Sequence, residues 1–115
     1  MKEQSYRKSE RVNKKSLFRT IYQQGVWSSS KHFTTIVCSN TQGVKRLGIT
    51  VTKKAGNAVK RNRIKRLIRE FFRLNKALFP AGYDFIIMAK RNMPPLTYQE
   101  ACRELTELFT RKANR

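Results

Sequence analysis

The segment of residues 53–73 constrains the fold of this chain more than any other. Its sequence, KKAGNAVKRNRIKRLIREFFR, carries nine of the chain's 26 lysine and arginine residues and a single acid, Glu70. If a helix begins near Asn57, apolar side chains fall on one stripe and cations on the opposite face. The stripe consists of Ile64, Leu67, Ile68, Phe71 and Leu74. The opposite face consists of Asn62, Lys65, Arg66, Arg69 and Arg73. The pattern predicts a helix that buries one face and presents cations on the other.

The concentration of like charge on this helix indicates a polyanionic ligand. Helix faces that meet only water usually mix signs, because like charges three or four residues apart repel by about 0.2–0.5 kcal/mol per pair. Lys60 adds a cation in the first turn, and Arg61 and Arg63 lie at the borders of the two faces. A merely solvated face is the alternative, but the repeated repulsion favours a partner that neutralises it.

The charge of the whole chain indicates the same kind of partner. The 115 residues carry a formal net charge of +19, and a chain of this length suits one domain, expected over residues 1–115. Nucleic acid is the commonest partner of so basic a protein, and an anionic membrane surface is the alternative. No apolar run approaches the roughly 20 residues of a membrane span, and the N-terminus lacks an apolar signal core. We therefore expect a cytoplasmic protein without a membrane partner.

The start of the chain is expected to form an arm followed by a helix. Residues 1–12 are polar and basic, which is typical of a mobile or loosely docked segment. Asn13 can cap a helix over residues 14–24, and Gly25 can end it. The apolar stripe of this helix consists of Leu17, Phe18, Ile21 and Tyr22. Core packing and partial exposure are about equally compatible with that stripe.

Three further segments have the composition of strands. Residues 33–38 are rich in β-branched and aromatic side chains, and residues 47–52 alternate apolar with small or hydroxylic ones. Gly43 lies between these two segments and fits a hairpin connection. Residues 83–89, YDFIIMA, are apolar almost throughout, which indicates a central strand covered on both faces.

The loop that precedes the basic helix has the features of a phosphate-binding turn. Gly56 allows close approach of the backbone, Asn57 can cap free amides, and Lys53 and Lys54 lie beside the expected helix N-terminus. The loop lacks the glycine density and the Lys-Ser or Lys-Thr ending of a nucleotide-binding P-loop. The backbone phosphates of a polymer therefore suit it better than a mononucleotide.

The C-terminal helix is not expected to be part of the basic face. Thr97 and Glu100 form a capping-box pattern, and residues 97–109 carry three acids against one arginine, Arg103. The cations and the acids are therefore concentrated in different segments of the chain.

No set of residues resembles a catalytic or metal centre. Phosphodiester cleavage by a protein needs a general base and acid or a pair of metal-binding carboxylates, and the chain has only seven acids. Glu100 and Glu104 are four residues apart, but a solvated helix face explains them better than a metal site. His32 reads as a surface or groove residue, and Cys38 and Cys102 as free thiols, although a disulfide stays open. The sequence predicts a binding protein without a metal or a small-molecule substrate.

The motifs of this chain resemble the protein subunit of bacterial ribonuclease P. The run TVTKKAGNAVKRNRIKRLIRE is similar to the signature of that family. The likeness extends to NKKSLFRTIYQQG upstream, to RLGITVTKK, and to the YDFIIMAKR strand, so it covers nearly the whole chain.

The resemblance implies a fold and two binding surfaces. The fold would be a single-domain α+β sandwich with the order α-β-β-β-α-β-α, an extra strand over residues 26–30, and a left-handed crossover through the basic helix. Catalytic RNA would bind the basic helix and its loop. The positions implied are Lys53, Lys54, Asn57, Lys60, Arg61, Asn62, Arg63, Lys65, Arg66, Arg69 and Arg73. The 5′ leader of precursor tRNA would bind a groove between the first helix and the sheet, lined by Phe18, Tyr22, Phe33 and Ile36. Ile36 occupies a position that is often aromatic in relatives.

The resemblance also implies that the chain is a noncatalytic subunit. Cleavage would be carried out by the RNA with Mg²⁺, and the chain itself would bind no cofactor. Three alternatives stay open at this point: a ribosomal or RNA-chaperone protein, a nuclease that acts without RNA, and a DNA-binding helix.

Overall fold

The computed structural model describes residues 10–12 and 14–111, with the backbone only at residue 111. These residues form three helices and four strands in the order α-β-β-β-α-β-α, which confirms the expected α+β fold. The elements are α1 (Lys15–Gln24), β1 (Val26–Ser29), β2 (Phe33–Ser39), β3 (Lys45–Thr50), α2 (Ala58–Leu74), β4 (Tyr83–Ala89) and α3 (Tyr98–Arg111). Short 3-10 helices, Lys53–Ala55 and Lys76–Leu78, lie immediately before and after α2.

The four strands form one mixed sheet in the order β1-β2-β4-β3. Strand β2 pairs antiparallel with β1 and β4, whereas β3 pairs parallel with β4. The predicted hairpin between β2 and β3 is therefore wrong, because β4 lies between them. The backbone of Gly82 holds this arrangement: its carbonyl accepts from the Asn40 amide at 2.8 Å, and its amide donates to the Val44 carbonyl at 2.9 Å. The left-handed sense of the β3-α2-β4 crossover stays a prediction.

The sheet separates two apolar cores. The smaller core lies beneath α1 and contains Val12, Ile21, Ile36, Cys38 and Ile86. The larger core lies on the other face, beneath α2 and α3, and includes Leu47, Ile68, Phe71, Phe85 and Leu105. The ring of Phe79, which is fully buried, lies 4.8–5.9 Å from the rings of Phe71, Phe72, Phe85 and Phe109. Helix α2 is thus attached to the sheet through an aromatic cluster.

Four paired residues, Gly48, Ile86, Ile36 and Trp27, form one row across all four strands. Gly48 pairs with Ile86, Ile86 with Ile36, and Ile36 with Trp27, so these residues share the face that α1 covers. Gly48 makes room for α1, because a Cβ atom at this position would lie 2.9 Å from Cζ of Phe18. Phe18 therefore packs directly over β3.

The end of the predicted N-terminal arm is docked against the fold. Arg11 forms a parallel bridge with Leu47, the Val12 amide donates to the Leu47 carbonyl at 3.0 Å, and Val12 is buried. Glu10 accepts from Lys76 Nζ at 2.6 Å. Of the two states expected for the arm, residues 10–12 therefore adopt the docked one, while residues 1–9 and the expected cap Asn13 lie outside the described residues.

The predicted capping residues mark the N-termini of α2 and α3 correctly. The Asn57 side chain accepts from the Lys60 amide at 2.9 Å and begins α2. Thr97 and Glu100 form the predicted capping box, with hydrogen bonds of 2.8 and 3.1 Å. The buried stripe of α2 differs at its last turn, where Leu74 is 47% exposed. Phe72, which was not assigned to the stripe, is buried there instead, because its ring packs against Phe79.

We expect Gly48→Ala to lower the free energy of unfolding by about 1–3 kcal/mol, since the added methyl group collides with the ring of Phe18. Urea denaturation measures the change. In a Phe18→Ala background the same substitution should cost less, because the ring is absent and only the contact of 3.1 Å with Cβ of Val12 remains. An equal cost in both backgrounds would contradict the proposed collision.

Candidate nucleic-acid interface

The loop before α2 is shaped by its own hydrogen bonds into a compact turn. The Thr52 hydroxyl accepts from the Lys54 amide at 3.3 Å, and the Asn57 side chain caps the first turn of α2. Gly56 has a φ of 151°, and a Cβ atom there would lie 2.8 Å from Cδ of Lys60. Glycine is therefore required at this turn both by the backbone and by the lysine stem. Lys53 and Lys54 are both exposed on it.

Most of the predicted RNA-binding side chains of α2 and its loop face solvent. The exposed set comprises Lys53, Lys54, Asn57, Lys60, Asn62, Arg63, Arg66 and Arg69, and the half-buried set comprises Arg61, Lys65 and Arg73. We call these eleven residues the cationic surface. Among the described residues, Nε of Arg61 is a buried nitrogen with no hydrogen-bond partner. Arg63 donates to the Leu96 carbonyl at 3.1 Å, which fixes its guanidinium beside the loop that precedes α3.

Arg73 differs from the other members of the cationic surface. Its Nε donates to Glu70 Oε1 at 3.1 Å, and this hydrogen bond lowers the pKa of the Glu70 carboxyl. The pair neutralises itself within one turn of α2. The other cations of α2 have no carboxylate within salt-bridge distance among the residues that the structure describes. Net positive charge is thus concentrated on the first three turns of α2.

A second basic loop, residues 90–92, adjoins this surface. It was not predicted as part of the site. The Asn92 amide donates to the Lys54 carbonyl at 2.8 Å, so the loop after β4 touches the loop after β3. Arg91, beside Asn92 in the chain, is exposed. The two loops meet because β3 and β4 are parallel, so that the carboxyl ends of both strands lie at the same end of the sheet. The basic sequence of residues 90–92 was a visible signal, but its place depended on the strand pairing.

An exposed aromatic surface lies on the opposite side of the molecule. The ring centroids of Phe18 and Tyr22 are 6.2 Å apart, and that of Trp27 lies 5.8 Å from Tyr22. Tyr22 and Trp27 are 38% and 48% exposed, and Phe18 is half-buried. We call the two residues on α1, Phe18 and Tyr22, the aromatic row. Lys15 and Arg19, which line a shallow depression with Phe18 and Tyr22, add positive charge beside it.

Two predicted groove residues do not join the aromatic row. Ile36 lies on the α1 face but is completely buried beneath the helix. Phe33 lies on the other face of the sheet, within the larger core, and is 1% exposed. The prediction that Phe33 lies beside Phe18 and Tyr22 is therefore wrong. Phe33 and Ile36 are three residues apart on β2, so their side chains point to opposite faces of the sheet, and only Ile36 faces α1. Phe33 instead lines a narrow cleft beside Lys60 and Arg63.

Most of the described carboxylates already have partners within the fold. Asp84 is almost fully buried and accepts from Arg46 Nε at 2.8 Å, from Arg46 Nη2 at 3.0 Å and from Asn40 at 3.0 Å. Glu10 pairs with Lys76, and Glu100 caps α3. Among the described residues, no three His, Cys, Asp or Glu side chains are grouped as a metal site. These carboxylates therefore have structural roles.

Glu104 connects α3 to the turn between β1 and β2. Its carboxylate accepts from the Ser30 hydroxyl, from the His32 amide at 2.6 Å, and lies 2.9 Å from His32 Nδ1. Burial by itself would raise the pKa of Glu104, but the hydrogen bonds from Ser30 and His32 outweigh it and hold the pKa below its usual value. His32 lines a surface depression, as expected, and its half-buried side chain also has a structural role through Glu104.

Cys38 and Cys102 are both free, as expected. They pack in the smaller and the larger core respectively, so the sheet lies between them.

The fold and the cationic surface together define a small nucleic-acid-binding α+β protein. A model of the Ribonuclease P family matches residues 6–113. The Ribonuclease P protein component of Syntrophus aciditrophicus is 54% identical over 112 residues, which cover 97% of this chain and 94% of that protein. The RNase P protein of Staphylococcus aureus superposes with a TM-score of 0.83 at 35% identity, covering 91% of this chain and 96% of that one. The RNase P protein from Thermotoga maritima has a TM-score of 0.79 at 29% identity, covering 89% and 96%.

The chain belongs to the ribonuclease P protein family. It is a subunit of the tRNA-processing endoribonuclease ribonuclease P, and its partner is the RNA of that ribonucleoprotein. A ribosomal or RNA-chaperone protein is not favoured by these matches. No helix among the described residues has the length and apolar character needed to cross a membrane.

We expect Glu104→Gln to destabilise the fold at neutral pH by about 1–3 kcal/mol, because charge-assisted hydrogen bonds to Ser30 and His32 are weakened. The folded-state pKa lies below the ordinary value of 4.5, so the carboxylate stabilises the fold above that value and loses its effect as the pH falls through the folded-state pKa. The difference between wild type and variant should therefore shrink on acidification. Urea denaturation between neutral pH and pH about 3 measures it.

Glu107→Gln, an exposed position on the same helix, is the matched control and should change the free energy of unfolding little. A pH-independent difference for Glu104→Gln would contradict the role of its charge.

Proposed function

We propose that this chain binds the catalytic RNA of ribonuclease P through its cationic surface and the single-stranded 5′ leader of precursor tRNA along its aromatic row. The observation that carries the proposal is the separation of two exposed surfaces of different chemistry, with cations on α2 and aromatic rings on α1, by one sheet. Each surface suits one part of an RNA substrate complex. We also propose that the assembly acts in the cytoplasm.

The cationic surface suits structured RNA that is recognised by its phosphates. Arg66 and Arg69 are exposed on a rigid helix whose other face is buried in the larger core. Guanidinium groups match phosphate oxygens in a two-pronged geometry, and each neutralised phosphate releases counterions. Because the helix is held by Ile64, Ile68 and Phe71, the cations keep fixed spacings. Such a surface binds a polyanion without first having to become ordered.

The aromatic row suits an unpaired strand. Bases of single-stranded RNA can stack on aromatic side chains with little regard to sequence, whereas bases in a duplex are inaccessible to them. Tyr22 is exposed on α1, and Lys15 and Arg19 lie beside it to meet backbone phosphates. The row therefore combines the two elements of a single-strand site.

We propose that the RNA carries out cleavage with Mg²⁺ and that the chain contributes by binding RNA. Glu10, Glu70, Asp84, Glu100 and Glu104 all accept hydrogen bonds within the fold. Mg²⁺ would accordingly be held by RNA oxygen atoms in the assembly. By neutralising phosphates near the substrate, the chain would lower repulsion between two polyanions and reduce the need for divalent ions.

Arg66→Ala and Arg69→Ala should each weaken binding to the catalytic RNA and reduce the slope of log K against log salt by about one unit per lost phosphate contact. Binding titrations at several salt concentrations measure both effects. Arg103→Ala is the matched control, since Arg103 is an exposed arginine on the acidic helix α3. An unchanged slope in both α2 variants would exclude this helix as the contact surface.

Tyr22→Ala should reduce the affinity of the holoenzyme for leader-bearing precursor tRNA by about 1 kcal/mol or more and leave the affinity for mature tRNA unchanged, because one stacking surface is lost. Binding of the two substrates to the reconstituted holoenzyme measures the difference. Tyr83→Ala is the control, because Tyr83 is also 38% exposed but lies on the other face of the sheet. Equal losses for both substrates would rule out the leader surface.

A further inference from the structure

Trp27 is an exposed aromatic residue on a strand at the edge of the sheet. Within residues 10–12 and 14–111, strand β1 pairs only with β2, and Trp27 lies directly opposite Ile36. Paired residues in a sheet share a face, so the indole is on the side of α1 and of the aromatic row. Val26, its neighbour, lies on the opposite face because it pairs with Val37 of the larger core.

The indole of Trp27 is held in position without being buried. Its Nε1 donates to the Tyr22 carbonyl at 3.1 Å, and its ring centroid lies 5.8 Å from that of Tyr22 with an interplanar angle of 46°. The residue is nonetheless 48% exposed. A large aromatic side chain that only closed the end of α1 would be expected to bury more of its area. The geometry is that of a rigid platform whose surface is still available to a ligand.

Trp27 extends the aromatic row across the whole sheet. Phe18 packs over Gly48 of β3 at one edge, Tyr22 follows one helical turn later, and Trp27 lies on β1 at the other edge. Ile36, between them, is completely buried and offers no surface for stacking. Beyond Tyr22, the exposed aromatic surface on this face of the sheet is thus provided by Trp27 on β1.

We propose that Trp27 stacks on an unpaired base of the bound single strand and lengthens the leader-binding surface to the β1 edge. This inference rests on the proposed binding of the leader by Phe18 and Tyr22. Stacking needs only a base with an open face, so the platform should accept any nucleotide and favour purines slightly because their larger rings overlap more of the indole. Leaders long enough to reach β1 gain this contact, and shorter ones do not.

Trp27 is the only tryptophan in the chain, so its fluorescence reports on this contact without any substitution. The test uses holoenzyme reconstituted with the catalytic RNA, titrated with precursor tRNAs whose leaders lengthen one nucleotide at a time. Emission should be quenched once the leader reaches a threshold length and should be unaffected by mature tRNA. Unchanged emission at every leader length, or equal quenching by mature tRNA, would overturn the proposal.

Substitution then separates stacking from a structural role. Trp27→Ala should reduce affinity about fivefold or more for leaders beyond the threshold length and leave shorter leaders and mature tRNA unchanged. Trp27→Phe, which keeps a ring but not the hydrogen bond to Tyr22, should restore most of the loss. Val26→Ala, on the other face of β1, should have no effect. A loss that is the same for every substrate would mean that Trp27 only supports the fold, and the proposal would fail.

The leader surface itself is tested in the same series through Tyr22→Ala. A leader-dependent loss for Tyr22→Ala without one for Trp27→Ala would overturn the inference on Trp27 and leave the proposed function standing. The absence of a leader-dependent loss in both variants would overturn the leader surface as a whole, and with it this inference.

Discussion

Strand β4 has to be covered on both faces, and the rest of the structure depends on this requirement. Ile86 faces α1, while Phe85 and Ile87 face α2 and α3, and none of the three is more than 2% exposed. One layer of helices could remove only one of these faces from water. The chain therefore builds two cores, and each core supports one outer surface: the aromatic row on α1 and the cationic surface on α2.

The distribution of charge follows from the same layered arrangement. Helices α2 and α3 pack on one face of the sheet, yet their charges differ. Helix α2 exposes Lys60, Arg63, Arg66 and Arg69, whereas α3 carries Glu100, Glu104 and Glu107. Glu104 is engaged with Ser30 and His32, and Glu70 with Arg73, so neither is left to neutralise the first turns of α2. In the proposed function, the uncompensated positive field there would strengthen the attraction to RNA phosphates, and ionic strength would tune the affinity.

Features that depend on neighbouring residues could be predicted, and features that depend on strand pairing could not. The Asn57 cap, the Thr97–Glu100 capping box and the apolar strand β4 were all predicted, because each is encoded within a few positions. The hairpin of β2 and β3 was wrong, since proximity in the chain does not reveal that β4 inserts between them. Phe33 was misplaced although alternation along a strand already separates it from Ile36.

The sequence by itself determined the composition of each surface: a helix with cations at fixed spacing, aromatic side chains on the first helix, and too few carboxylates for a catalytic centre. Periodicity and charge are properties of neighbouring residues, so they can be read without knowing the fold. Only the tertiary structure decided which residues meet. The parallel pairing of β3 with β4 brought residues 90–92 to Lys54, and the register of β1 against β2 placed Trp27 beside Tyr22. Pairing and register are set by the burial of whole strands, which no single segment specifies.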